Sequence, residues 1–171
     1  MKKIEILPVE AGEVEAIGAL ARIVWQKCYA GIIISQEQVD YMLGDRYNAA
    51  RLREELQTPG IWWDQAFVDG ERVGFASTLR TDTPGELKLD KLYIHPAHQR
   101  HGVGGAMIAH IAERGLKDDP PARTLILAVN KQNLQAQAAY RKHGFVQREP
   151  VYVDIGNGFV MDDYIMEKAL R

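Results

Sequence analysis

The sequence lacks several features that would place the chain in common protein classes. A single cysteine, Cys28, permits no internal disulfide and fits a reducing compartment, so we expect a cytoplasmic protein. The sequence contains no run of 18 apolar residues, so we expect no membrane-spanning helix. The opening segment MKKIEILPVE lacks the long apolar stretch of a signal peptide. The net charge of −2 argues against nucleic acid as the main partner. With 46% hydrophobic residues in 171, we expect one globular domain over residues 1–171.

The most informative stretch runs from Asp90 to Met107 and reads DKLYIHPAHQRHGVGGAM. An apolar, β-branched and aromatic run ends at His95-Pro96, which predicts a strand, and a helical pattern begins at Val103. Three glycines lie at the start of that helix, each costing up to ~1 kcal/mol relative to alanine. Close approach of a ligand to the backbone explains them. Because the first-turn N–H groups have no intrahelical partner and lie at the positive end of the helix dipole, the loop predicts a phosphate site.

The sequence excludes two common phosphate-binding loops, the P-loop and the dinucleotide-binding loop. No Lys-Ser/Thr pair follows the glycines, and Met107 occupies the third glycine position of a dinucleotide fingerprint. The remaining pattern Q-x-x-G-x-G, from Gln99 to Gly104, resembles the pyrophosphate loop of the GNAT superfamily of acetyl-coenzyme-A-dependent N-acetyltransferases. The resemblance implies acetyl-coenzyme A as co-substrate. It also implies that the cofactor-binding residues of this strand and loop are Leu92, Tyr93, Ile94, Gln99, Arg100, His101, Gly102, Val103, Gly104 and Gly105.

The order of predicted elements matches the acetyltransferase fold, which implies an α/β (α+β) class with a mixed sheet of about seven strands and helices on both faces. The predicted strands are 3–9, 61–68, 72–79, 87–94, 124–129, 145–153 and 159–168. The predicted helices are 13–29, a segment from Ser35 through Met42, 48–57, 103–117 and 133–143. Ser35 followed by Gln38 indicates an N-cap with a reciprocal partner, and Asp69-Gly70 indicates a hairpin.

A second motif lies between Leu127 and Phe145. Asn133 and Tyr140 are seven residues apart and therefore share one helix face. The pattern N-x-x-A-x-x-x-Y-x-x-x-G-F resembles the second cofactor segment of the same family, which implies that Asn133 contacts the cofactor and Tyr140 lies beside its sulfur. An unperturbed tyrosine, at ~10, is a weaker acid than a thiol at ~8.5, so we expect Tyr140 to hydrogen-bond the leaving thiolate more than to protonate it fully.

The sequence leaves the proton acceptor open. An alkylammonium of pKa ~10.4 is only about one part in a few thousand neutral at pH 7, so attack needs a base or a water chain. One branch of the family has a glutamate five residues before the cofactor asparagine, where this chain has Ala128. On the central strand Asp90 and Leu92 are two residues apart, so their side chains are expected on the same face, a shared parity along the strand. We take Asp90 as the first candidate base and Glu86 as the second. Solvated carboxylates at the strand edge are the equally weighted alternative. A backbone N–H near Tyr93 or Ile94 is the expected donor to the thioester oxygen.

The acceptor site is predicted from a diffuse resemblance to the polyamine-acetylating branch. It places Tyr29, Glu37, Asp40 and Tyr41 beside the acceptor. Three carboxylates, Glu37, Asp40 and Asp64, are expected to give the site a negative charge suited to a cationic substrate. We expect a primary amine acceptor, a polyamine or another small amine, attacked directly in a ternary complex. Acetylation of a peptide N-terminus or lysine is the alternative, and a non-catalytic acyl-coenzyme-A sensor is the alternative of another class.

Two further expectations concern metals and assembly. His95, His98 and His101 span a proline loop without a clear fourth ligand, so we expect no metal site and assign them to the phosphate loop. The sequence does not define the oligomeric state, and a homodimer is one option that it leaves open.

Overall fold

A seven-stranded mixed sheet forms the centre of the molecule, in a computed structural model that describes residues 2–171. The strands are β1 (Ile4–Pro8), β2 (Ile61–Val68), β3 (Glu71–Arg80), β4 (Glu86–Ile94), β5 (Thr124–Asn130), β6 (Val146–Gly156) and β7 (Phe159–Ala169). Their order across the sheet is β1-β2-β3-β4-β5-β7-β6; the β4–β5 pair is parallel, and the other neighbouring pairs are antiparallel. The helices are α1 (Val14–Cys28), α2 (Gln36–Arg46), α3 (Ala49–Gln57), α4 (Val103–Leu116) and α5 (Leu134–Lys142).

Two hydrophobic cores cover the two faces of this sheet. The apolar stripe predicted for α1, including Ile17 and Val24, is buried with residues of α2 and α3 in one core. On the other face α4 buries Met107 and Ile111 against strand residues such as Leu125. The expected fold class is therefore confirmed. None of the helices within residues 2–171 is long and apolar enough to cross a membrane.

The local signals for helix starts and turns are largely confirmed. Ser35 caps α2 by accepting from the Gln38 N–H at 3.1 Å. The Gln38 side chain, however, does not reach back to the cap; its amide donates to Val160 O on β7 at 3.0 Å. Asp69 and Gly70 both have positive φ, at 50° and 84°, as a tight hairpin turn requires.

The sheet splits between β4 and β5. The two strands pair only over Glu86–Lys88 and Thr124–Ile126, and beyond that point each continues without the other. β4 remains paired with β3 as far as Ile94, and β5 remains paired with β7 as far as Asn130. The split therefore leaves one edge of each strand open inside an otherwise continuous sheet.

A β-bulge interrupts β4 at Asp90. On the neighbouring strand β3, Ser77 pairs with Lys91 and Thr78 pairs with Leu89, so no residue of β3 is paired with Asp90 in the sheet. A bulge shifts the alternation of side chains along a strand. The predicted shared parity of Asp90 and Leu92 is therefore wrong, because it assumed an uninterrupted strand.

Candidate active site

A cavity opens where β4 and β5 separate. Its walls come from the two separated strands, from α1 and α2 on one side, from α5, and from β7. The side chains that matter for its chemistry are Tyr29, Asp90, Tyr93, Asn133, Tyr140 and Asp163. Its lining mixes aromatic rings with a few polar groups, which is the usual character of a small-molecule site.

The open edge of β4 presents backbone N–H groups to this cavity. His95 N–H donates to Val73 O on β3 at 2.7 Å. Because N–H groups alternate between the two sides of a strand, those of Leu92 and Ile94 point away from β3, into the split. The carbonyl of Ile94 confirms this direction, since it accepts from Gln99 Nε2 at 3.1 Å and not from β3. These N–H groups are suited to donate to a developing oxyanion.

The loop between β4 and α4 has the geometry of an anion site. Arg100 and Gly102 have positive φ, at 64° and 84°, which turns successive backbone N–H groups toward one side. Within the part of the chain that the structure describes, the first N–H after Gln99 with a carbonyl partner is that of Ala106, which donates to Gly102 O. The N–H groups of residues 100–105 are therefore free for a ligand at the positive end of α4.

Some side chains of this loop pack against the protein, and others are exposed. Gln99 is turned inward, toward Ile94 O and Cys28 Sγ, and so fastens the loop to the end of β4. Val103 is buried in the core, whereas His101 is exposed. Val103 thus offers a ligand only its backbone.

The two glycines at the start of α4 have different surroundings. A Cβ added at Gly104 would meet only Ile94 Cγ1, at 4.0 Å, so the space above it is open. A Cβ added at Gly105 would lie 2.6 Å from His143 Cε1. A side chain at Gly105 would therefore displace the exposed His143 ring, whereas the absence of a side chain at Gly104 leaves room that the protein itself does not fill.

The start of α5 brings Asn133 and Tyr29 together. Asn133 Oδ1 caps the helix by accepting from the Ala136 N–H at 3.2 Å. Its Nδ2 donates to Tyr29 Oη at 3.3 Å. Burial raises the pKa of Tyr29 to about 12, so its hydroxyl stays protonated at neutral pH. This pair fixes one wall of the cavity.

Tyr140 lies in the same cavity, in the last turn of α5. Its ring packs edge-on against Phe145, with the centroids 5.7 Å apart. Burial, with Tyr29 nearby, raises the pKa of Tyr140 above its ordinary value. A higher pKa makes proton transfer to a thiolate still less favourable, and it supports the expectation that Tyr140 acts as a hydrogen-bond donor.

The two carboxylates predicted as bases lie in different surroundings. Glu86 lies at the paired end of β4, where it accepts from Thr81 Oγ1 at 2.8 Å and from Arg148 at 3.1 Å, and it does not line the cavity. Asp90 does line the cavity, but it is paired with the buried Lys91 at 2.7 Å and with Lys88 at 3.6 Å. Burial acts to raise the pKa of Asp90, and the two lysines outweigh it, so its pKa lies below the usual value.

The structure adds a carboxylate that the sequence reasoning missed, Asp163 on β7. Its residue is 2% exposed, it lines the cavity, and it lies opposite Asn130 of β5. Burial raises the pKa of Asp163 to about 6, against the partial opposition of Arg46. A signal was present in the sequence: Asp162 and Asp163 are adjacent in a strand, so one of the two must point inward.

The predicted acceptor residues are only partly brought together. Tyr29 lines the cavity. Tyr41 instead binds the β6–β7 hairpin, through a 2.9 Å hydrogen bond from its hydroxyl to Ile155 O. Glu37 and Asp40 lie on the exposed side of α2 and do not line the cavity, where α2 contributes Gln38 and Met42. Asp64 does not line the cavity either, because it is buried on β2 and paired with Arg114 of α4 at 2.8 Å.

Comparison with known proteins agrees with this geometry. Residues 24–145 match the model of the acetyltransferase (GNAT) family, and the chain belongs to that family. An uncharacterized N-acetyltransferase from Lactobacillus delbrueckii subsp. lactis is 27% identical over 143 residues, or 80% of each chain. The crystal structure of PaiA N-acetyltransferase from Thermoplasma acidophilum in complex with coenzyme A is similar over 98% of this chain and 99% of that one, with 26% identity and a TM-score of 0.81. A GCN5-related N-acetyltransferase structure from Rhodopseudomonas palustris is 23% identical over 99% and 98% of the two chains, also with a TM-score of 0.81.

The protein is thus an acetyltransferase with acetyl-coenzyme A as its co-substrate, and the residues present fit that molecule. The free N–H groups of residues 100–105 suit a pyrophosphate, and the open space at Gly104 admits its close approach. The split between β4 and β5 leads from this loop toward Asn133 and Tyr140.

Proposed function

We propose that the chain transfers the acetyl group of acetyl-coenzyme A to the primary amine of a small, slender molecule, by direct attack in a ternary complex. The observation that carries the proposal is the split between β4 and β5, which ends in a cavity containing Tyr140 and two carboxylates. The split accommodates the thioester arm, and the cavity accommodates the acceptor.

Direct attack is supported by where the one cysteine lies. Cys28 is at the end of α1 with its Sγ 3.7 Å from Gln99 Nε2, and it is not among the residues lining the cavity. An amine attacks a thioester without an enzyme nucleophile once its proton is removed. The N–H groups of Leu92 and Ile94 then stabilise the charge on the thioester oxygen, and the Tyr140 hydroxyl hydrogen-bonds the departing thiolate.

The preference for a small acceptor is supported by how α2 covers the cavity. Gln38 and Tyr41 of α2 bind Val160 O and Ile155 O of the β6–β7 hairpin, and the Tyr41 ring lies 5.4 Å from that of Phe159. This bridge narrows the acceptor side of the cavity. An alkylamine or polyamine passes a narrow opening more readily than a folded protein surface does.

The test is an assay of thiol release with a panel of acceptors. It compares monoamines, polyamines, short peptides with free N-termini and peptides with internal lysines, and it identifies each acetylated product by mass. We expect transfer to small amines, with kcat/KM well above that for either kind of peptide. Preferential acetylation of peptides would replace the proposed acceptor class, and binding of coenzyme A without transfer to any amine would indicate a sensor.

A further inference from the structure

One carboxylate of the cavity is buried without a partner. Asp163 is 2% exposed, and its Oδ1 has no hydrogen-bond partner among the residues that the structure describes. An ionised carboxylate in such a position is costly unless a donor or a cation completes it. Because Asp163 lines the cavity, a ligand in the cavity is able to supply that donor.

The three cationic groups around Asp163 are engaged elsewhere. Lys88 is 3.6 Å from Asp90, Lys131 is 2.7 Å from Asp162, and Arg46 directs a guanidinium nitrogen at Met161 Sδ, 3.6 Å away. None of these three contacts involves Asp163. The other charged and titratable groups near it are Tyr29 after α1, Arg46 of α2, Lys88, Asp90 and Tyr93 of β4, Lys131 after β5, Tyr140 of α5, and Asp162, which points to the opposite side of β7.

We propose that Asp163 receives the ammonium group of the acceptor and takes its proton before attack on the thioester. This inference rests on the proposed function, since it assigns a residue to the amine that the acetyl transfer requires. It replaces neither the donor role of Tyr140 nor the backbone N–H groups of β4. It names the proton acceptor that the sequence leaves open.

The proposed step balances in protons and electrons. One ammonium proton passes to the Asp163 carboxylate and later to solvent, which leaves a neutral amine. The nitrogen lone pair forms the new C–N bond, the C–S bond breaks, and sulfur keeps its electron pair. The second nitrogen proton is lost as the amide forms and ends on the coenzyme A thiol, so the products are an acetamide, free coenzyme A and one proton.

Asp90 is less suited to this step, although it lies in the same cavity. Its carboxylate already neutralises Lys91, whose side chain is 2% exposed. Protonating Asp90 would leave that lysine buried and unpaired. Asp163 does not neutralise a buried cation in this way. Burial raises its pKa to about 6, within the range in which a base accepts and releases a proton at neutral pH.

The experiment measures kcat/KM against pH for the wild type and Asp163→Asn, with the best amine of the panel. In the wild type we expect activity to rise with pH along a limb centred near the pKa of Asp163, about 6. In Asp163→Asn we expect a loss of roughly 10²-fold or more at pH 7, with the limb replaced by a rise in proportion to hydroxide. Retention of both the rate and the limb in Asp163→Asn would overturn the inference.

Asp162→Asn is the matched control, because the same change is made one residue away, on an exposed carboxylate paired with Lys131. We expect it to keep the wild-type profile. If Asp162→Asn lost as much activity and the same limb, a general charge effect would replace the specific role of Asp163.

Thermal unfolding shows whether Asp163→Asn folds and gives a second readout. Since folding raises the pKa of Asp163 from 3.8 to about 6, the stability that protonated Asp163 contributes is fully present below pH 3.8 and is lost as pH rises through about 6. The Tm of Asp163→Asn relative to wild type should therefore be higher at pH 8 than at pH 4. A difference in Tm that does not change with pH would contradict the buried, unpartnered state of Asp163.

The outcomes separate this inference from the proposed function. If the wild type transfers acetyl to amines and Asp163→Asn does so equally well, only the role of Asp163 fails. If the wild type binds coenzyme A but transfers to no amine, the proposed function fails, and the role of Asp163 fails with it.

Discussion

The carboxylate of Asp90 accepts a hydrogen bond from Lys91 Nζ at 2.7 Å, although the two residues are neighbours on one strand. Neighbouring side chains of a regular strand point to opposite faces and cannot pair in this way. The β-bulge at Asp90 turns them to the same side. Lys91 Nζ also lies 5.2 Å from the ring of Trp63 and 5.8 Å from that of Tyr47, so a cation is held in an aromatic core by one carboxylate.

This pair predicts that Asp90 contributes mainly to stability. Asp90→Asn leaves the Lys91 ammonium buried without a counter-charge, which should lower the free energy of unfolding by about 3 kcal/mol. Replacing Lys91 by Met as well removes both charges and should restore most of that loss. Chemical denaturation of the two variants at pH 7 measures both effects.

Glu113→Gln is the control, since Glu113 pairs with Lys117 on the surface of α4, where such exposed pairs contribute little to stability. Equal destabilisation by Asp90→Asn and Glu113→Gln would contradict the dependence of Lys91 on Asp90.

The loop before α4 gives a prediction about coenzyme A. The space at Gly104 is open in the protein, so valine there should be accommodated in the fold but should occupy the room that the pyrophosphate needs. At a hundred times its dissociation constant, coenzyme A should stabilise the wild type by ~2.7 kcal/mol, seen as a rise in Tm. We expect Gly104→Val to abolish that rise.

Gly44→Val is matched to this variant. Gly44 lies on the exposed face of α2, and a Cβ there meets nothing within 4 Å, so the same change is made in a different helix. It should leave the rise in Tm unchanged. A full ligand-induced rise in Gly104→Val would mean that the loop is only structural.

Tyr140→Phe tests the leaving-group donor. The substitution keeps the ring that packs against Phe145 and removes only the hydroxyl, so coenzyme A binding should survive. We expect kcat to fall by roughly 10² or more, the usual effect of removing a positioned donor. Tyr152→Phe, at a 69% exposed tyrosine of β6, should leave kcat unchanged. Full activity of Tyr140→Phe would reduce Tyr140 to a packing residue.

Most of the fold follows from local sequence signals. The stripe of α1, the cap at Ser35 and the Asp69-Gly70 turn each depend on a few neighbouring residues, and the structure confirms them. The strand ending at Ile94 and the glycine loop after it were predicted for the same reason. The bulge at Asp90 was not, because it arises from the pairing of β3 with β4 and has no local signature in the sequence.

The candidate site was predictable only where its residues are consecutive in the sequence or are spaced to share one face of a helix. Gln99–Gly105 and the pair Asn133 and Tyr140 are of this kind. Asp163 is brought to the cavity by the pairing of β7 with β5, whose partner residues are more than thirty positions apart in the sequence. The side chain of Gln38 was misassigned for a similar reason, since its partner Val160 lies on β7.

The last prediction concerns the length of the acceptor. Glu37 and Asp40 lie on the exposed side of α2, whose Gln38 and Met42 line the cavity. A polyamine held at Asp163 by one ammonium has a second ammonium, which these exposed carboxylates attract only weakly, from outside the cavity. The double variant Glu37→Gln with Asp40→Asn should therefore raise KM for a spermidine-like amine a few-fold and leave kcat nearly intact, the pattern of lost uniform binding. The effect should shrink with added salt, because exposed charges are screened, and it should be absent for a monoamine of similar width. An equal rise in KM for the monoamine would mean that these carboxylates do not recognise a second charge.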